Sequence, residues 1–434
     1  MKKFISLLLC GVLVLGSLTG CGSKEKESTQ TSAVESEKQD DSTTVDNGKT
    51  EETTASADPV SIKIWHDGDE AIMTTIQNRV NETLKADNIT VTFEKKTGLT
   101  DQIKLYGNDS ANGPDMYMYS QDSLGMFVEM GLLAPMTDLI STDKMADMLP
   151  MTVEAGSYKD VQYMIPIYFE TLLFMYNKDL WEGEVPETTD ALYDYMVAHT
   201  DTAAGTYAVV NQHSTAYNVA PFINGYGGYI INADAKPGLN EQATKDAITY
   251  NQKFAQLQAD GDYNTVTTLF NEGKAAAIIG GPWLMSGIKE ANINLGIKSL
   301  SSFKLPNGNA LAPYSGVQGV GVMKYAADSK KDAITKVLEV LAGAEVGIDL
   351  ATTANCAPAN TNAYANSDVM DNEMIIAMRD TAETAWPMPN IPQISVMWGP
   401  TESLLAAVNK SGEDVNKAAD QYQKEAETAI SDMQ

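Results

Sequence analysis

The chain has 434 residues, 58 acidic and 30 basic, with a formal net charge of -28 and a hydrophobic fraction of 43%. At about 150 residues per domain this length predicts two or three domains, and the apolar content is that of a globular protein. The shortage of Lys and Arg argues against a nucleic-acid partner and against electrostatic adhesion to anionic lipid. Three cysteines and three histidines leave little material for disulfides or metal sites, so we expect no metal and no cofactor.

The first 20 residues have the pattern of an export signal. An uncharged apolar run from Phe4 to Leu18 follows two lysines, and it is too short to cross a bilayer core of about 30 Å as a helix. The run ends in Leu18-Thr19-Gly20-Cys21, which resembles the lipobox of bacterial lipoproteins, where the chain is cleaved before a cysteine that is then acylated. An ordinary secretory signal with a chance cysteine is the alternative.

Residues 21–58 combine the candidate lipidation site, Cys21, with a segment of Ser, Thr, Glu, Asp and Lys that contains almost nothing apolar. Such a segment cannot bury enough surface to offset its ordering entropy, so we expect a disordered tether. The predicted location is the extracellular face of the cell membrane, with the protein anchored by lipid on Cys21. The folded body then begins at residue 59.

From residue 59 onward, strand and helix patterns alternate. Period-2 alternation or short apolar runs predict strands, and a four-residue apolar spacing (Ile72, Ile76, Val80) predicts a helix after Asp69. This alternation favours parallel βαβ units with ligands at the carboxyl ends of the strands. The predicted strands are 60–65, 89–93, 114–119, 275–279, 293–297 and 317–323, and further helices are predicted after Asp122, within 328–350 and from 402 onward.

Catalytic motifs are absent from the sequence. His66, His199 and His213 lack the spacing of zinc ligands, there is no G-x-S-x-G elbow, and Cys356 has no histidine nearby in sequence. A carboxylate pair for glycoside hydrolysis stays open, because 58 acids offer many pairs. The sequence therefore favours a binding protein over an enzyme.

Aromatic and acidic residues near the predicted strand ends are of the kinds that bind sugars. The C–H faces of a pyranose stack on aromatic rings, and its hydroxyls donate to carboxylates. The alternative for each aromatic ring is the core, and Asp69 and Asp122 can instead cap the helices that follow them. The suggestive residues are Trp65, Asp69, Tyr119, Asp122, Glu170, Tyr217, Trp283, Trp386 and Trp398.

Four sequence blocks resemble the maltose/maltodextrin-binding proteins, which are extracellular solute-binding lipoproteins of carbohydrate ABC importers. The blocks are Gly113–Asp115 with Gly131–Ala134, Pro166–Glu170 with Tyr176–Leu180, Phe270–Lys274 with Gly281–Trp283, and Met388–Gln393 followed by Trp398. The resemblance implies a bilobed, periplasmic-binding-protein-like α/β fold, with two lobes joined by crossover strands and the sugar in the cleft between them. The lobes are expected at 59–168 plus 314–361 and at 169–313 plus 362–434.

The resemblance also implies roles for single residues. The family carries cations where this chain has Glu70, Ser123 and Glu402, and often Glu where it has Thr215. Because those donors are lost and the aromatic residues are kept, we expect a preference for longer oligosaccharides over the disaccharide. The expected ligand-binding residues are Asp69, Tyr119, Asp122, Glu170, Tyr217, Trp283 and Trp398, with Trp65, Asp67, Glu70, Ser123, Thr215 and Glu402 as further candidates.

The function implied by the resemblance is capture of maltooligosaccharides and their delivery to ABC permease subunits. Sugar that bridges both lobes would stabilise a closed state, with an affinity in the micromolar range, about -8 kcal/mol. We expect a monomer. The alternatives are a surface glycoside hydrolase and a glycan-binding lipoprotein that serves no transporter.

Overall fold

The computed structural model describes residues 59–433. The expected signal peptide (1–20), Cys21 and the expected tether (21–58) lie outside the described residues. The strands are β1 (Val60–His66), β2 (Ile89–Lys95), β3 (Met116–Ser120), β4 (Ser157–Tyr158), β5 (Val161–Gln162), β6 (Met164–Thr171), β7 (Leu173–Asn177), β8 (Tyr207–Val210), β9 (Ala275–Gly280), β10 (Leu295–Ser299), β11 (Tyr314–Val322), β12 (Ala357–Pro358) and β13 (Trp386–Pro387).

The α-helices cover most of the sequence between these strands. They are α1 (Glu70–Thr83), α2 (Leu99–Tyr106), α3 (Leu124–Glu129), α4 (Asp143–Ala146), α5 (Pro150–Ala155), α6 (Thr189–His199), α7 (Ala216–Gly225), α8 (Gln242–Phe254), α9 (Tyr263–Asn271), α10 (Met285–Glu290), α11 (Lys324–Ser329), α12 (Lys331–Leu341), α13 (Ala344–Ala354), α14 (Ser367–Met370), α15 (Glu373–Thr381), α16 (Trp398–Asn409) and α17 (Val415–Ser431). Several short 3₁₀ turns join them, including Gln121–Ser123 and Pro392–Val396.

The first strand and helix show how the sequence pattern becomes structure. Ile62 and Ile64 of β1 are fully buried, and so are Ile76 and Val80 of α1, because both elements turn an apolar face to the same core. Helix α1 begins where the Asp69 carboxylate accepts hydrogen bonds from the first amides, the shorter at 2.7 Å. A side chain at this position satisfies backbone donors that have no partner within the helix.

The strands form two main sheets. The larger, seven-stranded sheet has the order β12-β6-β11-β3-β1-β2, with β13 beside β11, and β1 runs parallel to both β2 and β3. The smaller sheet has the order β10-β7-β9-β8. Helices α16 and α17 pack against α7 and α8.

The prediction of parallel βαβ units among the later strands was confirmed for β9 and β10 and wrong for β11. Strands β8 and β9 pair in parallel, and β7 lies between β9 and β10 and is antiparallel to both, so β8, β9 and β10 all run in the same direction. Strand β11 instead joins the large sheet, where it is antiparallel to β3 and β6. The chain passes from β6 of the large sheet through Leu172 directly into β7 of the small sheet. A strand reached by such a direct crossing has no helical connection within its own sheet to make it parallel.

Cys356 is 3% exposed, so its thiol is buried. Within residues 59–433, no helix is both long enough and apolar enough to cross a membrane.

Candidate ligand-binding site

The carboxyl ends of β1 and β3 bring three of the expected residues together. Asp67 follows β1, and Tyr119 and Asp122 stand at the end of β3 and in the turn after it. The Tyr119 hydroxyl interacts with the Asp67 carboxylate, and the charge of Asp67 acts on Asp122. The meeting of these residues follows from the parallel pairing of β1 and β3.

The two carboxyl groups of this first cluster differ in exposure, since Asp122 is half-buried and Asp67 is exposed. Burial raises the pKa of Asp122 and the pKa of Asp67. Within the described part of the chain, Asp122 Oδ1 is shielded from solvent and accepts no hydrogen bond. A shielded acceptor without a donor is costly, and a sugar hydroxyl is a donor of the required kind.

A second cluster joins Glu170, Tyr217 and Trp283. Burial raises the pKa of Glu170, which lies near the end of β6 opposite Gly316 of β11. Burial also raises the pKa of Tyr217, and the nearby charge of Glu170 raises it further. The Tyr217 hydroxyl donates to the Tyr314 carbonyl at 3.4 Å, which holds the ring against β11.

Trp283 presents an exposed aromatic surface beside Tyr217. The two ring centroids are 6.3 Å apart with planes inclined at 56°, and Trp283 is 41% exposed. A Cβ at Gly281 would lie 2.2 Å from the indole, so only glycine lets the ring fold back over this turn. Exposed indole and phenol faces at this spacing can take up the apolar faces of successive sugar rings.

Asp69 caps α1, and its charge also acts on two buried residues that the charge of Glu170 reaches. Burial raises the pKa of the Cys356 thiol, and the charges of Glu170 and Asp69 raise it further. Burial likewise raises the pKa of Tyr168, and the same two carboxylates are among the charges that raise it further. The capping role of Asp69 is therefore compatible with a second role at the site.

Trp398 is the first residue of α16 and is half-buried. The 3₁₀ turn before it contacts the turn that carries Asp122, and α16 packs against α7, which carries Tyr217. Trp398 thus lies where the 3₁₀ turn that contacts the Asp122 turn meets the helix that packs against α7.

The further candidates are placed differently. Trp65 is 3% exposed, its indole N–H donates to Glu94 at 3.1 Å, and Lys96 lies 4.6 Å from the ring centroid, so it packs in the core and we leave it out of the site. Ser123 shares its turn with Asp122, and Thr215 directly precedes α7. Glu70 and Glu402 are exposed in the first turns of α1 and α16.

Gln121 is a residue that the sequence reasoning missed. It lies between Tyr119 and Asp122, is fully buried, and hydrogen-bonds to β11 and to Met388. The only signal in the sequence is an amide between two candidate ligands.

Two further observations concern the described residues. Among residues 59–433, no group of three or more His, Cys, Asp or Glu could hold a metal ion. A crevice of about 710 Å³ lies between the 154–160 segment, the 231–233 loop and the 387–391 segment, and none of the expected ligand residues lines it.

The body has two main β-sheets flanked by helices, and carboxylates and exposed aromatic rings lie together at the strand ends. These are the features of a solute-binding protein. Residues 78–376, more than half of the chain, match the profile of the bacterial extracellular solute-binding proteins. The chain belongs to this family, whose members are carriers and not enzymes.

Relatives support the same assignment. A maltotriose-binding protein of Pyrococcus abyssi is 26% identical over 84% of this chain and 81% of its own length. A galactooligosaccharide-binding protein of Bacillus subtilis is 29% identical over 99% and 96%. A maltooligosaccharide ABC transporter solute-binding lipoprotein of Streptococcus pneumoniae is 28% identical over 81% and 85%.

Solved structures of similar proteins have the same bilobed fold. A cyclo/maltodextrin-binding protein complexed with maltotetraose superposes with a TM-score of 0.77 at 22% identity, over 87% of this chain and 98% of that one. A maltose-binding protein of Listeria monocytogenes in complex with maltose gives 0.74 at 26% identity, over 86% and 98%. These similarities confirm the predicted fold class and the resemblance to the maltose/maltodextrin-binding proteins.

Proposed function

We propose that this protein captures maltooligosaccharides in a cleft between its lobes and delivers them to the permease of an ABC importer. The proposed sugar contacts are Asp69, Tyr119, Asp122, Glu170, Tyr217, Trp283 and Trp398. The cleft closes between the lobes 59–168 plus 314–361 and 169–313 plus 362–434. Relatives whose names specify maltotriose and maltooligosaccharides support this ligand class.

The observation that carries the proposal is the pairing of shielded carboxylates with open aromatic rings. Asp122 holds an unused acceptor, and Trp283 exposes its ring beside Tyr217. Carboxylates recognise the rim of hydroxyls of a sugar and aromatic rings recognise its apolar faces. Both kinds of group are needed to hold a neutral, hydroxyl-rich ligand.

Calorimetric titration with maltooligosaccharides of two to seven units tests the ligand class. We expect dissociation constants in the micromolar range, about -8 kcal/mol, with tighter binding of the longer oligomers. Tightest binding of the disaccharide would contradict the length preference alone. Absence of binding to every maltooligosaccharide would contradict the proposal, and unchanged oligomer lengths after incubation would exclude hydrolysis.

Galactooligosaccharides are the second candidate ligand. The relative that covers 99% of this chain is named for them, and the loss of cationic hydroxyl donors at Glu70 and Ser123 leaves room for a different pattern of recognition. The same titration with galactooligosaccharides decides between the two classes of ligand. Carboxylates that are placed for the hydroxyls of one sugar leave some hydroxyls of the other sugar without a hydrogen-bond partner.

Membrane attachment through acylated Cys21 is the third part of the proposal. One acyl chain holds weakly, so the anchor needs more than one chain. A Cys21→Ala variant should leave the cell surface for the medium, whereas retention on the cell would contradict the anchor. Loss of oligosaccharide uptake on deletion of the gene would separate the importer subunit from a glycan-binding lipoprotein that serves no transporter.

A further inference from the structure

Gln121 is a buried amide that hydrogen-bonds to its neighbour Ser120, whose hydroxyl donates to Oε1 at 3.2 Å, and to backbone groups of two distant segments. The side chain is fully buried. Its Nε2 donates to the carbonyls of Ser315 at 3.2 Å and Met388 at 3.3 Å, and its Oε1 accepts from the Val317 amide at 2.7 Å. Two acceptors on one side and a backbone donor on the other fix the orientation of the amide.

The distant partners of Gln121 belong to β11 and to the segment that follows β13. Ser315 and Val317 are residues of β11, which lies between β3 and β6. Met388 follows β13, and its own amide donates to the Ser315 carbonyl at 3.0 Å. One side chain therefore joins the end of β3 to β11 and to the segment that continues to Trp398.

Gln121 is also covalently placed between two proposed sugar contacts. Tyr119 precedes it by two residues and Asp122 follows it directly. A neighbouring bond reinforces the same junction, since the Gly125 amide donates to the Asn390 carbonyl at 2.9 Å. We therefore expect that a substitution at Gln121 shifts Tyr119 and Asp122 on one side and the segment before Trp398 on the other.

We propose that Gln121 is a positioning residue that holds Tyr119 and Asp122 in register with Trp398 by joining β3 to β11 and to Met388. It acts through these residues and does not itself touch the sugar. The proposal rests on the function proposed above, because it takes Tyr119, Asp122 and Trp398 as sugar contacts. Pre-organised contacts bind more tightly, since less freedom is lost on binding.

The test compares Gln121→Met with Asn81→Leu. Gln121→Met keeps an unbranched side chain of similar length and removes all four side-chain hydrogen bonds, including the one from the Ser120 hydroxyl. Asn81 is the matched control because its amide also joins two elements, donating to the Val91 carbonyl at 2.9 Å and accepting from the Val91 amide at 2.7 Å. These bonds tie α1 to β2 and involve neither β11 nor Met388.

Affinity and melting temperature together distinguish positioning from general support of the fold. We expect both variants to lower the melting temperature, and we expect only Gln121→Met to raise the dissociation constant for maltotetraose, by about tenfold. If the affinity of Gln121→Met equals that of the parent, or if both variants weaken binding equally, the positioning role is wrong. If the parent itself binds no saccharide, the proposed function fails and this inference fails with it.

A double-mutant cycle measures the coupling to Trp398. In a Trp398→Ala background, Gln121→Met should cost no more than about threefold in affinity, because part of what it positions is already missing. An unreduced tenfold loss would contradict the coupling. If Gln121→Met does not fold, Gln121→Glu replaces it, since Glu keeps an oxygen that accepts from the Val317 amide and loses the N–H donors to Ser315 and Met388. Parent-like affinity of Gln121→Glu would equally overturn the positioning role.

Discussion

Replacement of Trp283 by Ala tests whether an open aromatic ring contributes to sugar binding. A Trp side chain has about 250 Å² of surface, and Trp283 is 41% exposed, so about 100 Å² is available to a ligand. At about 25 cal/mol per Å², complete coverage contributes about 2.5 kcal/mol. A sugar stacked on one face covers about half of this area, which is worth about 1.3 kcal/mol and raises the dissociation constant about tenfold.

Trp386→Ala is the matched control for this measurement. Trp386 is 39% exposed, so the same amount of open indole surface is removed, yet it pairs with Tyr314 at the edge of β11 and is not among the proposed contacts. Calorimetry with maltotetraose should show a tenfold loss for Trp283→Ala and less than a twofold change for Trp386→Ala. Parent-like affinity of Trp283→Ala, or equal losses in the two variants, would refute the stacking argument.

Three further predictions concern charge and stability. Lowering the pH from 7 to about 5 should weaken sugar binding in calorimetry. Burial raises the pKa of Asp122 and the pKa of Glu170 above their ordinary values, and a protonated carboxyl group accepts hydrogen bonds from hydroxyls poorly. Constant affinity down to about pH 4 would argue against this. Glu170→Gln should raise the melting temperature of the sugar-free protein at pH 7 while weakening sugar binding. The raised pKa of Glu170 in the folded state means that its charge destabilises the fold above that pKa, and this destabilisation disappears as the pH falls through it. A lower melting temperature of the variant would show that the charge is compensated. Arg79→Met removes the two hydrogen bonds of the Arg79 guanidinium to the Asp349 carboxylate, at 2.6 and 2.8 Å. Because both side chains are partly exposed, the variant should lower the free energy of unfolding by only about 1 kcal/mol, measured by chemical denaturation. An accompanying loss of sugar affinity would contradict this purely structural role.

Local patterns in the sequence predicted the elements well where one face of an element is buried. The strand predicted at 60–65 is β1, and the helix predicted after Asp69 is α1, because period-2 and four-residue apolar spacings reflect the core directly. The continuous apolar periodicity of 328–350 is divided in the structure among α11, α12 and α13. Such breaks depend on how successive turns pack, which periodicity does not record.

Strand direction could not be read from the sequence in the same way. The alternation of strands and helices is equally compatible with a direct crossing between sheets, so the antiparallel placement of β11 was missed. Direction is set by where the chain leaves one sheet and joins another, and that is a property of the whole fold.

The clustering of the candidate site residues depended on distant parts of the chain. Tyr217 and Trp283 are 66 positions apart and lie side by side, and the resemblance to a known family supplied what spacing alone did not. Gln121 escaped notice because its role is defined by backbone groups of β11 and Met388. A buried amide whose long-range hydrogen bonds all go to backbone leaves no pattern of distant side chains to recognise.

Small-angle X-ray scattering of the body, residues 59–434, with and without saturating maltotetraose tests the central claim most directly. If carboxylates and aromatic rings on the two lobes close around one sugar, the radius of gyration should fall on binding, as in hinge closure. An unchanged radius of gyration at saturation would contradict capture between the lobes.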